Sequence, residues 1–110
     1  MERLVKGNVI VVPFPFSDLS SVKRRPALVV SVLHGNDIVL CQITSKKRHD
    51  RYSIQLEKSD FETGFLPASS FIRPNMLFTA EDSIVMYRIG SIKSQKLNEV
   101  VESLCKILRY

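Results

Sequence analysis

The sequence predicts a mainly β domain, in which a small, strongly bent sheet or barrel is closed by a C-terminal helix. Three observations predict it. Six or seven short apolar segments, many rich in β-branched residues, precede residue 93. Prolines and glycine-containing turns separate several of these segments. Beyond Ser94, apolar residues recur at spacings of three and four, which is typical of an amphipathic helix. The 110 residues match a single domain over 1–110.

The first strand is expected over residues 8–14, a β-branched run that reaches two prolines. Pro13 and Pro15 have no backbone N–H to donate, so they should end the strand or lie at an edge. A hairpin is expected next, with apolar strands over 27–33 and 38–44. The turn between them contains Gly and Asn, which tolerate positive φ.

The later elements are expected to be shorter. The sequence predicts strands at 52–56, 69–73, 76–79 and 86–92, a loop over 57–68 and one helical turn over 81–85. The last element is a helix with Ser94 as its N-cap. Its apolar face is formed by Leu97, Val100, Val101, Leu104, Ile107 and Leu108.

The positive charge is concentrated in the first half of the chain. Residues 1–51 contain nine bases and four acids, whereas residues 52–110 contain seven of each. This excess favours a polyanionic partner. No apolar run reaches the ~18 residues of a membrane span, and the N-terminus lacks the pattern of a signal peptide. We therefore expect a cytoplasmic protein that does not contact a membrane.

The two cysteines, Cys41 and Cys105, both lie among apolar residues. They form no CxxC pair and have no histidine at zinc-ligand spacing. Both are expected to be buried free thiols, because free cysteine packs as a small hydrophobic side chain.

The first candidate for function is Arg25, which precedes Pro26. A residue before proline is restricted to extended backbone, so the guanidinium is aimed at a lower entropy cost. Arginine also presents a planar fork that matches a phosphate. Counting outward from the hairpin turn, Ala27 is expected to face Thr44, and Arg25 to face Lys46. This pairing would bring Arg25, Thr44 and Lys46 to one end of the sheet, although a solvated loop remains the alternative.

The second candidate is the end of the following strand, where hydroxyls run into a basic loop. Phosphate contacts come mainly from such side chains. The residues concerned are Thr44, Ser45, Lys46, Lys47, Arg48 and His49.

A second Arg-Pro pair, Arg73-Pro74, either joins this site or pairs with an acid. His34 is expected to be a surface residue of the hairpin turn, and His49 is weighed between a surface residue and a phosphate contact. No glycine-rich phosphate loop, metal triad or nucleophile elbow is present.

Several segments together resemble the MazF/PemK family of toxins from type II toxin–antitoxin modules. They occur in the family's order through nearly the whole chain. The matching segments are KGNVIVVPFPF from Lys6, RPALVV from Arg25, CQITS from Cys41, SFIR from Ser70, and Ile89-Gly90 before the last helix.

The resemblance implies a small SH3-like β-barrel with a C-terminal helix (the MazF/PemK/CcdB-like fold), working as a homodimer. It implies a metal-independent, sequence-selective endoribonuclease that needs no cofactor and acts on single-stranded RNA. A cognate antitoxin would inhibit it by occupying the RNA site. The family's catalytic arginine falls on Arg25 and its hydroxyl residue on Thr44, while Arg73 matches a later family arginine, with Ser70 nearby.

One departure concerns the loop before Arg25. Here it is FSDLSSVKR, with Ser20 or Ser21 where other members place a serine or an acid. This difference bears on the RNA sequence that is cut. Phe16 is a candidate for stacking on a base, with a core aromatic as the alternative, and Arg24 is a further RNA contact.

The implied reaction is attack of a ribose 2′-hydroxyl on the adjacent phosphate, which leaves a 2′,3′-cyclic phosphate and a 5′-hydroxyl. Arg25 would stabilise the developing charge, and Thr44 would donate a hydrogen bond. An arginine keeps its proton and is a poor general base, so Asp18 and His49 are the candidates for that role. The alternative is a non-catalytic toxin or module of the same fold that binds gyrase or RNA.

Overall fold

A computed structural model describes residues 3–14, 23–46 and 50–110. Over these residues the chain forms a seven-stranded sheet and one long helix. The strands are β1 (Asn8–Phe14), β2 (Lys23–Val32), β3 (Asp37–Thr44), β4 (Ile54–Leu56), β5 (Phe61–Thr63), β6 (Ser70–Glu81) and β7 (Tyr87–Ile92), and the helix is α1 (Ser94–Arg109). Two single-turn 3₁₀ helices lie at Lys58–Asp60 and Asp82–Ile84.

The sheet is antiparallel throughout, with the strand order β4-β6-β3-β2-β1-β7-β5. Its two edge strands, β4 and β5, are consecutive in the chain, and the short segment that connects them contains the Lys58–Asp60 turn. Ile54 of β4 and Phe61 of β5 also belong to one core cluster. Because the two edges share a core, the sheet must curl back on itself, which confirms the mainly β, strongly bent fold with a C-terminal helix.

Two apolar clusters pack on the two faces of the sheet. The first fills the curled interior and is covered by Val100 and Leu104 of α1. The second packs on the other face around Ile10, Val12 and Ala27. Strands β1, β2 and β3 contribute to both clusters, so they are buried on both faces and show continuous apolar runs instead of alternation.

The predicted first strand and the predicted hairpin are both confirmed. The predicted hairpin register is wrong by two residues, because Ala27 pairs with Gln42 and not with Thr44. A bulge between Val29 and Ser31 shifts the pairing near the turn. A shift of two residues keeps every side chain on its face, since successive side chains alternate.

The sequence predicted a loop over residues 57–68. This prediction is wrong in part, because the segment includes β5. Phe61 is buried in the first core cluster, so tertiary packing recruits this short segment to the sheet. Its partner strand approaches closely at Gly90, where an added Cβ would overlap the carbonyl of Thr63. Gly64 lies in the same close contact, because a Cβ added there would overlap the carbonyl of Ile89.

The two strands predicted on either side of Pro74 are one strand, β6, interrupted by a bulge. Cys41 pairs with Leu77 and the next residue, Gln42, pairs with Arg73, so three residues of β6 are extruded. Proline has no N–H for the ladder, which explains why the bulge forms there.

The predicted helix and its apolar face are confirmed, with Val100 and Leu104 buried. Ser94 is its first residue and not its N-cap, since the N–H of Leu97 bonds to the carbonyl of Lys93 at 3.0 Å. Cys41 is buried as expected, but Cys105 is exposed. The helix turns by about 100° per residue, which carries Cys105 away from the sheet just after the buried Leu104.

Candidate active site

The position of Arg25 follows from the proline after it. The pairing of β2 with β3 begins at Ala27, whereas the pairing with β1 extends further and sets Arg25 opposite Val12. Pro26 therefore lies outside the paired part of β2 and β3, so its missing N–H breaks no hydrogen bond to β3. The Arg25 side chain is half-buried, and its Nε is buried without an acceptor among the described residues. A buried donor of this kind is available to a ligand.

Thr44 ends β3 on the same side of the sheet. The β2–β3 register, continued outward from Ala27 and Gln42 by two residues, places Arg25 opposite Thr44. Thr44 is buried, and its Oγ1 accepts the backbone N–H of Lys46 at 3.1 Å. A hydroxyl that accepts one bond still carries a proton to donate.

Arg73 reaches the same place from β6. It pairs with Gln42, and its Nη1 donates to Oε1 of Gln42 at 3.3 Å. Arg73 precedes Pro74, which is almost fully buried and restricts Arg73 to extended backbone. The bulge after Arg73 separates this pair from the longer stretch of the ladder that begins at Cys41 and Leu77.

These four side chains share one face of the sheet, because residues directly opposite in a ladder point to the same side. Arg25 lies opposite Val12, and Gln42 lies opposite both Ala27 and Arg73. Val12 and Ala27 belong to the second core cluster. The neighbouring ends of β2, β3 and β6 thus present two guanidinium groups, an amide and a hydroxyl at the edge of this cluster, which is a set of donors suited to an anion.

Asp50 adds an acid beside this site. Its Oδ1 accepts the backbone N–H of Ser53 at 2.8 Å and of Tyr52 at 2.9 Å. These bonds hold the pKa of Asp50 below its ordinary value, and the positive charge of Arg73 lowers it further. The carboxylate is exposed, so its attraction to Arg73 is screened by water.

An apolar cavity of about 380 Å³ adjoins the site through Gln42. Two of its walls are the rings of Phe14 and Phe78, which meet edge to face with centroids 4.9 Å apart. Besides Gln42, the polar residue in its lining is Asn75, which lies in the extruded part of β6. The cavity has the size and the character of a pocket for a flat, partly apolar group.

Some of the residues predicted for RNA contact do not join this face. Arg24 alternates with Arg25 and points to the opposite face of β2. Ser70 has the same parity as Ile72, which lies in the first core cluster, and its Oγ donates to the carbonyl of Ala68 at 2.9 Å. Ser45 and Lys46 are exposed just beyond the end of β3. The remaining predicted residues lie outside the described part of the chain: Phe16, Asp18, Ser20, Lys47, Arg48 and His49.

Gln42 and Asn75 were not predicted as site residues. Gln42 has a detectable signal, because it is two residues from Thr44 on one strand and must share its face. Asn75 has no such signal in the sequence, because the extrusion at Pro74 depends on pairing with β3.

No group of three or more His, Cys, Asp or Glu residues suited to a metal occurs in the three described ranges. Within the same ranges, no helix is long and apolar enough to cross a membrane.

The curled seven-stranded sheet with a C-terminal helix defines a class of small proteins that includes solved endoribonucleases and toxins. An endoribonuclease in complex with its cognate antitoxin, from a mycobacterial species, superposes with a TM-score of 0.77 at 17% identity, covering 96% of this chain and 95% of that one. MazF from Deinococcus radiodurans superposes with a TM-score of 0.76 at 20% identity over 100% of both chains. The MazE–MazF structure from the same organism gives 0.74 at 19% identity over 94% of both.

These superpositions establish a common fold, and the sequence itself establishes the family. The chain belongs to the family of PemK-like, MazF-like toxins of type II toxin–antitoxin systems, whose model matches residues 5–108. No curated protein is similar enough in sequence to match it.

Proposed function

We propose that this toxin is a sequence-selective endoribonuclease that cleaves single-stranded RNA without a metal ion and so inhibits growth. The observation that carries the proposal is the shared face of Arg25, Gln42, Thr44 and Arg73 at the neighbouring ends of three strands. Membership of the toxin family supports it. So does the description of similarly folded proteins as endoribonucleases.

The proposed reaction is an internal transfer on the RNA backbone. The 2′-oxygen attacks the adjacent phosphorus, its proton passes to a base, and the bond from phosphorus to O5′ breaks. The leaving oxygen takes up a proton, so the products are a 2′,3′-cyclic phosphate and a 5′-hydroxyl. The negative charge that builds on the phosphorane oxygens needs fixed donors, and these can replace a metal ion.

Arg25 is the proposed main stabiliser, because its buried Nε has no acceptor among the described residues. Thr44 supplies a second donor beside it. Arginine keeps its proton in proteins, so the base is a different group, for which Asp18 and His49 remain the candidates. Arg73 adds positive charge and is oriented by Gln42.

The apolar cavity lined by Phe14 and Phe78 is the proposed pocket for a base next to the cleaved bond. Single-stranded RNA is recognised through bases that stack on aromatic rings and form hydrogen bonds through their edges. Gln42 and Asn75 offer amides for such bonds. Phe16, which lies outside the described residues, stays a further candidate for stacking on a base.

Two of the similarly folded structures contain the toxin together with an antitoxin. By the same likeness, we propose that a cognate antitoxin protein inhibits this chain by occupying the RNA site. We also propose that the protein is a homodimer and acts in the cytoplasm, where its RNA substrates are.

The deciding experiment is incubation with a long unstructured RNA in the presence of EDTA. We expect discrete fragments that end in 2′,3′-cyclic phosphate, and no fragments with Arg25→Ala, whose fold is checked by circular dichroism. Intact RNA at high protein concentration would refute nuclease activity and leave a non-catalytic binder. Cleavage that survives Arg25→Ala but is lost in His49→Ala would refute the role given to Arg25.

A further inference from the structure

A second groove lies between the segment after Asp50 and the C-terminal end of α1. It encloses a volume of about 540 Å³. It is lined by Arg51, Tyr52, Ser103, Lys106, Ile107 and Tyr110. None of these residues belongs to the candidate active site.

The chemistry of this groove combines exposed aromatic rings with positive charge. Tyr52 is 39% exposed, and Tyr110 is fully exposed at the end of the helix. Arg51 and Lys106 supply two cations, and both are exposed. Surfaces of this kind bind single-stranded nucleic acid, because bases stack on the rings while the cations follow the phosphates. An acidic peptide would use the cations but gains less from two open aromatic faces.

The groove also continues from the active site. Asp50, which feels the charge of Arg73, immediately precedes Arg51. The carboxylate of Asp50 accepts the backbone N–H groups of Tyr52 and Ser53, so it orders the backbone at the entrance of the groove. A strand of RNA that passes Arg73 and Asp50 would therefore reach Arg51 and Tyr52 next.

We propose that this groove holds nucleotides of single-stranded RNA that lie outside the cleaved step. The proposal rests on the proposed function for the identity of the ligand. Its sequence preference is weak, because every base has a face that can stack and the groove has one neutral polar side chain, Ser103, besides the tyrosine hydroxyls. The groove therefore adds affinity for long RNA and leaves the choice of cut sequence to the active site.

The test measures how affinity depends on RNA length, using fully 2′-O-methylated oligouridine of four and twelve nucleotides, which lacks the attacking hydroxyl. In the wild-type protein we expect the longer probe to bind more tightly. Replacing both tyrosines by alanine should weaken binding of the longer probe at least about fivefold, and Tyr→Phe at both positions should retain binding. Arg51→Ala with Lys106→Ala should lower the slope of log K against log [salt] by about 1.4, since each phosphate contact to a single strand contributes ~0.7.

The charge-matched control is Lys93→Ala, at the opposite end of the helix, combined with Lys6→Ala, so that it also removes two exposed positive charges outside the groove. Lys93 is exposed and distant in sequence from the groove. Cross-linking of a 4-thiouridine probe should map to Tyr52 or Tyr110. The proposal is overturned if the alanine variants bind the longer probe as the wild type does, or if polyglutamate binds with equal affinity and the same dependence on the tyrosines.

The outcomes separate this proposal from the proposed function. Groove-dependent binding without cleavage of any RNA would refute the nuclease and retain the groove. Cleavage of long RNA with an unchanged KM in the groove variants would refute the groove and retain the nuclease.

Discussion

Arg73 donates from Nη1 to Oε1 of Gln42 at 3.3 Å, and this bond crosses from β6 to β3 where the ladder is interrupted. It joins two residues that are 31 positions apart in the sequence. The bond orients a cation on the face that also carries Arg25 and Thr44. Gln42 thereby becomes a positioning residue for the charge that the proposed reaction needs.

Gln42→Leu should lower both activity and stability. The substitution removes the acceptor for Arg73 and leaves a half-buried charged donor without this partner, which costs about 1–3 kcal/mol of unfolding free energy. We expect kcat to fall about tenfold. Urea unfolding and single-turnover cleavage measure the two effects. A positioning role also requires that Arg73→Ala and Gln42→Leu be non-additive in kcat, and additive effects would contradict it.

Thr44→Val should abolish most of the cleavage while Thr44→Ser retains it. Valine keeps the shape of the buried side chain but lacks the hydroxyl proposed to donate to the phosphorane. Loss of one such donor lowers kcat by about 10²-fold or more. The backbone N–H of Lys46 also loses its acceptor, so a decrease in stability of about 1 kcal/mol should accompany the change. Equal activity of the two variants would exclude the hydroxyl from the reaction.

Asn75→Ala should change the RNA sequence that is cut without unfolding the protein. Asn75 is exposed in the extruded part of β6, and its amide lines the apolar cavity beside Gln42. We expect a relaxed preference at one position, with discrimination between bases lowered by about 1–3 kcal/mol, measured by sequencing the fragment ends. Asn75→Asp is the matched control, because it keeps the shape and changes the pattern of donors. An identical set of cuts in all three proteins would refute the pocket.

The two cysteines should react very differently with thiol reagents. Burial raises the pKa of Cys41 to about 12, so at pH 8 it carries almost no thiolate. Cys105 is exposed on the helix. We expect one reactive thiol per native chain and two in denaturant. Cys105→Ser should leave no rapidly reacting thiol, and rapid labelling of that variant would contradict the burial of Cys41.

Asp50 should make the stability depend on pH in the acid range. Its pKa is lowered by the backbone N–H groups of Ser53 and Tyr52 and by Arg73. A lowered pKa means that the carboxylate stabilises the fold above the unfolded-state pKa, near ~3.9, and that this contribution disappears as the pH falls through the folded-state value.

The difference in unfolding free energy between the wild type and Asp50→Asn should therefore be present at pH 7 and shrink on acidification to pH 3. An NMR titration should place the Asp50 midpoint below the ordinary aspartate value. Arg73→Ala should move that midpoint upward, and an unchanged midpoint would disprove the coupling between the two residues.

The sequence by itself determined the fold class, because hydrophobic period and turn chemistry are local properties. The β-branched run of β1, the glycine-containing hairpin turn and the three-and-four spacing of α1 each specify an element without reference to the rest of the chain. The two Arg-Pro pairs also mark Arg25 and Arg73, since proline restricts the residue before it.

Tertiary structure decided what pairs with what. The true register sets Ala27 against Gln42, so Arg25 lies opposite Thr44 and not opposite Lys46 as predicted, and the even size of the error keeps the side chains on their faces. Burial of Phe61 recruited β5 from a segment with loop character. The extrusion at Pro74 placed Asn75 beside Gln42. Its position depends on the pairing of β6 with β3, which lies some thirty positions earlier in the chain, so the local sequence does not determine it.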